Sequence, residues 1–186
     1  MNSSPYKVVV NLSQNKHDVY KGVWLAILHV SRIPPHIGIV IDGNYNSLTI
    51  KGHELSVDIS ILLKTIAIKK IETVFIPLKK HPVFSASYQL EILQLYIKQF
   101  KQVSEDNTCL TPVKLFLQEF YAIPFSENEL LFELIERLKQ NNYIAEAVTI
   151  NTAHLINNSS EIHLPIYNSQ QLKNTIQSEL DQLPKH

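Results

Sequence analysis

The chain has 186 residues and a single cysteine, Cys109. It closes a polar run, Ser104-Glu105-Asp106-Asn107-Thr108-Cys109, and an amphipathic segment begins within a few residues. Proline is tolerated in a helix only in the first turn, where its missing N–H has no intrahelical partner. Pro112 therefore sets a helix start close to Cys109. A cap at Asn107 or Thr108 puts Cys109 in the first turn, and a cap at Thr111 puts it just before. In both cases the thiol meets unpaired backbone N–H groups and the positive end of the helix dipole, which favour thiolate. The chemistry on offer is attack by sulfur on a carbonyl. The competing role is that of a small buried hydrophobe, a frequent use of free cysteine.

A thiol nucleophile needs a base within hydrogen-bond reach, usually histidine. Of the eight histidines, His36 differs from the rest, because it opens the apolar run His36-Ile37-Gly38-Ile39-Val40-Ile41. Strand alternation puts His36, Gly38 and Val40 on one face and the three isoleucines on the other. Gly38 leaves space beside the imidazole for another chain to approach. Asp42-Gly43-Asn44 reads as a tight turn, since these residues tolerate positive φ. A turn at Asp42-Gly43 sets His36 opposite Thr49, and a turn at Gly43-Asn44 sets it opposite Lys51. Ser47, Thr49 and Lys51 share the His36 face either way. No carboxylate or asparagine on the returning strand shares that face near His36. The competing reading of His36 is a surface histidine at a strand end.

The elements that must position these two residues follow from periodicity. Strands are predicted over 6–12, 36–41, 45–51 and 72–78, with two more over 143–150 and 161–167. Residues 18–32 are apolar enough for a buried helix or a strand pair. Helices are predicted over 56–68, 85–103, 112–121 and 126–138, with a last one opened by Asn168 or Ser169 and running to 183. This order suits a single α+β domain over residues 1–186.

Composition narrows the partners. Seventeen basic and 17 acidic residues give zero formal charge, which argues against a nucleic-acid binder needing a basic face. A hydrophobic share of 45 % is too high for disorder. No apolar stretch reaches the roughly 20 residues of a membrane span. The start lacks the pattern of a secretory signal, so a cytoplasmic protein is expected. Four glycines form no phosphate-binding loop, and the histidines and lone cysteine lack zinc-ligand spacing, so no cofactor and no metal are expected.

The block Pro35-His36-Ile37-Gly38-Ile39-Val40-Ile41-Asp42-Gly43-Asn44-Tyr45 resembles the His-x-Gly strand, turn and returning strand of the circularly permuted papain-like thiol hydrolases of the permuted NlpC type. In that family a further strand and a long helix follow, and then a cysteine opening a helix after a polar, often Asn-containing segment. Asn107-Thr108-Cys109 matches that position. The resemblance covers about residues 30–125. It implies an antiparallel sheet packed against helices, with the remainder a C-terminal extension that completes the fold or covers the site as a lid. It also implies Cys109 as nucleophile, His36 as base and Thr49 as third polar member, with Ser47 or Lys51 ranking after Thr49. The activity implied is hydrolysis or transfer of an acyl group from an amide or ester through a thioester, on a small-molecule, lipid or peptide substrate. Trp24, Phe84 or Tyr88 could form an acyl pocket. The alternative is a catalytically silent member of the fold acting as a binding module. An unpermuted order, Cys109 followed by His154 or His163 and then Asn168, ranks below His36 because no glycine accompanies His163.

Overall fold

The computed structural model describes residues 6–11, 16–126, 128–157 and 159–184. Leu12 and Glu127, each assigned above to an element, lie outside the described residues. In chain order the elements are β1 (Tyr6–Val9), a 3-10 turn (Lys16–Tyr20), β2 (Val23–Leu28), β3 (His36–Ile41), β4 (Asn44–Thr49), β5 (Gly52–Asp58), α1 (Ile59–Lys69), β6 (Thr73–Leu78), α2 (Ala86–Lys98), α3 (Leu110–Tyr121), α4 (Leu131–Gln140), β7 (Val148–Ile150), β8 (Glu161–Leu164) and α5 (Ser169–Asp181). The architecture is mixed α+β, with antiparallel sheets packed against five helices. The main sheet has the order β5-β4-β3-β2-β6-β7, and β1 pairs with β8 in a second, two-stranded sheet. Among the described residues no helix is long and apolar enough to cross a membrane.

Both faces of the main sheet are covered. Ile37, Ile39, Ile41 and Leu48 join a cluster with Leu93 of α2 and Phe116 of α3. Trp24, Val40, Tyr45 and Phe75 pack on the other face against Ile59, Leu62 and Ile66 of α1. Every residue of β2 is buried. A strand buried on both faces reads as a continuous apolar run, which is why residues 18–32 did not separate into helix or strand by pattern. One strand forms there, after the 3-10 turn.

Several elements depart from the periodicity reading, among them the helix expected over 85–103, which ends at Lys98. Residues 52–55 form part of an unforeseen strand, β5, which carries mostly polar side chains at the sheet edge. The helix expected from 56 starts instead at Ile59, where the Asp58 carboxylate accepts the Ser60 N–H at 2.7 Å. The helix expected from Ser126 starts at Leu131, because Glu129 and Glu133 fold back onto the Ser126 and Leu130 N–H groups. Asn168, rather than Ser169, caps α5 through a reciprocal pair of 2.9 Å bonds with Gln171.

The β3–β4 hairpin turns at Asp42 and Gly43, with φ of 43° and 76°, so Ile41 pairs with Asn44. Gly38 is needed by a close approach. A Cβ there would lie 2.4 Å from the Tyr45 ring and 2.8 Å from the Asn46 carbonyl oxygen. Tyr45 is 1 % exposed, so the ring has no free volume to enter. Gly38→Ala is expected to destabilise the protein by about 3 kcal/mol, the upper range for overpacking. Urea denaturation measures this, and a loss under about 0.5 kcal/mol would show that the ring can move aside.

Candidate functional site

Cys109 occupies the N-cap position of α3, with φ −58° and ψ −21°, and its side chain makes no capping bond. Thr108 and Thr111 do that work. The Thr108 hydroxyl accepts the Leu110 N–H at 3.1 Å, and the Thr111 hydroxyl accepts the Thr108 N–H at 3.0 Å. Pro112 falls in the first helical turn. The sulfur is thereby released from a structural task and faces inward.

Cys109 reaches the sheet near the end of the β3–β4 pair. Pairing of β3 with β4 extends from Ile41 and Asn44 to Ile39 and Asn46. Nearer His36, the Val103 N–H donates to the Thr49 carbonyl at 2.9 Å, so the segment before α3 docks on the end of β4. This brings the Cys109 sulfur to the backbone N–H of Ile37, the residue after His36. Cys109 as a residue is partly exposed, while its sulfur is enclosed. Burial pushes the thiol up to about 11, against the pull of the Ile37, Cys109 and Leu110 N–H groups. The nearby Glu179 carboxylate pushes in the same direction as burial.

His36 is held by a short polar chain. Its Nε2 lies 3.2 Å from the Ser47 hydroxyl, which donates to the Glu54 carboxylate at 2.6 Å. A carboxylate only accepts, so the single Ser47 proton goes to Glu54 and the Ser47 oxygen accepts from His36 Nε2–H. That assigns the tautomer: Nε2 carries the proton and Nδ1 carries the lone pair. Burial lowers the imidazole pKa, Glu54 partly opposes this, and His29 and Arg32 add to it. Imidazole and thiol are therefore both uncharged at rest.

The position expected for the third polar member differs from the one that touches the ring. Thr49 donates its hydroxyl to the Gly52 carbonyl at 3.0 Å and accepts the Lys51 N–H at 3.1 Å, closing the β4–β5 turn. Ser47 lies diagonally across the strand pair from His36, within reach of a long side chain. Glu54 was missed because it belongs to β5. The signal available was a second tight turn at Ile50-Lys51, closed by Gly52 and followed by the alternating Leu55 and Val57.

His36, Glu54 and Cys109 all line a cavity of about 1250 Å³. Leu172 and Ile176 of α5 form part of its wall. Only Ile176 of α5 is buried. Ion pairs tie the helix to both banks, Arg32 to Glu179 at 2.7 Å and Lys173 to Asp106 at 4.0 Å. Such rim pairs contribute at most about 1 kcal/mol each. Of the C-terminal segment, β7 extends the main sheet and α5 lines the cavity.

The other candidates sit elsewhere. His154 pairs with Glu72 at 2.9 Å, His163 lies exposed on β8, and Asn168 caps α5. Neither histidine lines the cavity. Trp24 packs beneath α1 and donates to the Lys21 carbonyl at 2.7 Å. Phe84 and Tyr88 lie against each other and meet Phe120 edge-on, and neither lines the cavity. Comparison with family models, curated proteins and solved structures finds no match to this chain.

Proposed function

We propose that the protein is a thiol hydrolase or acyltransferase of permuted papain-like fold, with Cys109 as nucleophile and His36 as base. One observation carries the reading: the lone sulfur lies at the start of α3 against the Ile37 N–H, the residue after His36, and lines the same cavity as that histidine, whose Nε2 is held by Ser47. The order of the His36 strand, β6, α2 and then α3 supports the fold assignment. Ser47 and Glu54 take the orienting role, in place of Thr49.

The uncharged resting pair sets the mechanism. His36 Nδ1 takes the thiol proton as sulfur attacks the acyl carbon, so no free thiolate has to form first. Backbone N–H groups at the start of α3, including that of Cys109, stabilise the oxyanion. Collapse breaks the bond to the leaving group, which receives the proton from His36. A thioester on Cys109 remains. Water, or an acceptor alcohol or amine, gives a proton to His36 and attacks the thioester. The acyl product leaves, and the proton returns to sulfur. The apolar part of the cavity wall suits the acyl portion of a substrate.

Intact-mass spectrometry of the full chain, treated with p-nitrophenyl esters of short and long acyl chains, tests this. The expected result is one added acyl group on Cys109, with p-nitrophenol release above the Cys109→Ala blank. If neither adduct nor turnover exceeds that blank, the silent reading replaces it. The enclosed, protonated thiol is the observation that favours a binding module.

A further inference from the structure

The polar chain behind His36 depends on a defect in the sheet edge. Asn44 pairs with Asp58 and Tyr45 with Val57, but Ser47 pairs with Glu54, so Leu55 and Ser56 together oppose Asn46. This is a one-residue β-bulge. Ser56 has a φ of 49°, a left-handed backbone uncommon for serine. The bulge reverses the facing of everything before it in β5. Val57 packs in the cluster under α1 and Leu55 in the cluster under α2 and α3, although they are two residues apart. Had the Asn44 and Tyr45 register continued, Leu55 would oppose Ser47 and the Glu54 carboxylate would turn to the face of Leu48. A one-residue slip always exchanges the faces of a strand.

Asn46 holds this defect. It is 1 % exposed, and its Oδ1 accepts the Ser56 N–H at 2.8 Å, the backbone donor that the bulge removes from the ladder. Gln94 of α2 donates to the same Oδ1 at 3.3 Å and to the Ser56 hydroxyl at 2.7 Å. The Asn46 amide nitrogen donates to the Asn44 carbonyl at 2.9 Å. Three elements, β4, β5 and α2, are thus joined through one buried amide, directly behind the residue that faces His36.

We propose that Asn46 is a positioning residue for His36: by stabilising the bulge it sets the register that turns Glu54 toward Ser47 and so holds the imidazole through its Nε2. The proposal rests on the reading of His36 as the base of the site. Its structural content does not depend on whether Cys109 reacts.

The test is the His36 Nε2 proton, observed by NMR in the full chain at neutral pH and assigned by its loss in His36→Ala. In the wild type the bond to Ser47 protects it from exchange with water. Asn46→Ala is expected to speed that exchange about tenfold, the factor a hydrogen bond of ordinary net strength supplies. Glu54→Gln should give a similar increase, and the double variant no further one, since both remove the same restraint. Deleting Ser56 from Asn46→Ala abolishes the bulge while keeping Ser47 opposite Glu54, so protection should return. Wild-type exchange in Asn46→Ala, a further increase in the double variant, or no recovery on deletion of Ser56 overturns the proposal. If Asn46→Ala does not fold, the deletion variant decides alone. If that also fails to fold, Asn46 serves the fold as a whole and the proposal is wrong. Repeating the measurement in Cys109→Ala separates this outcome from failure of the acyl-transfer reading, because no thiol is then present.

Discussion

Replacing His36 by alanine is expected to slow acylation of Cys109 by roughly 10²–10⁴-fold, the range set by removal of a positioned general base. The size follows from the resting charge states. With the thiol pushed up to about 11, sulfur offers almost no thiolate at neutral pH, so the base must take the proton in the step itself. The imidazole can do so because burial keeps it neutral and Ser47 holds its other nitrogen. Added imidazole should partly restore the variant if the cavity left by the side chain admits it. Ser47→Ala and Glu54→Gln leave the base in place and loosen only its orientation, so their losses should be smaller. Stopped-flow release of p-nitrophenol measures all four proteins. Acylation of His36→Ala at the wild-type rate would remove the imidazole from the chemistry.

Simple alkylation of the same sulfur should behave in the opposite way. With the thiol at about 11, about 10⁻⁴ of it is ionised at pH 7, against about 3 % of a free cysteine. Iodoacetamide is therefore expected to react with Cys109 at pH 7 at least about tenfold more slowly than with free cysteine, since the lower thiolate fraction outweighs the greater nucleophilicity of a more basic thiolate. The rate should climb tenfold per pH unit until the pH approaches about 11. Cys109 is the only cysteine, so intact mass reads the reaction without ambiguity. A rate that levels off near about pH 8.5, the range of an unperturbed thiol, would show that the sulfur is not enclosed. Slow alkylation together with fast acylation would identify a thiol that is activated only when an acyl group is bound beside His36. Slow reaction with both would leave a binding cavity with an inert cysteine in its wall.

The sequence alone carried the pieces of local chemistry. A lone cysteine before a first-turn proline forces the thiol to a helix start, because proline fits nowhere else in a helix. The run from His36 to Ile41, followed by Asp42-Gly43, specifies a strand and a tight turn, because alternation and positive φ are short-range properties. The α+β character of the chain comes from the same local patterns, as does the asparagine that opens α5.

Tertiary structure decided which of these pieces meet. Thr49 and Ser47 share a face with His36, and only the diagonal reach across β3 and β4 and the competing turn at Lys51 give the contact to Ser47. Glu54 reaches the site through a register shift between strands, and a register is a property of two strands together. The polar edge strand that carries it has little apolar alternation to announce it. The thiol pKa moved upward, against the expectation from a helix start, because enclosure of the sulfur outweighs the N–H groups around it. A helix dipole is written in nearby residues, whereas desolvation depends on everything that closes over an atom, here including α5 from the far end of the chain.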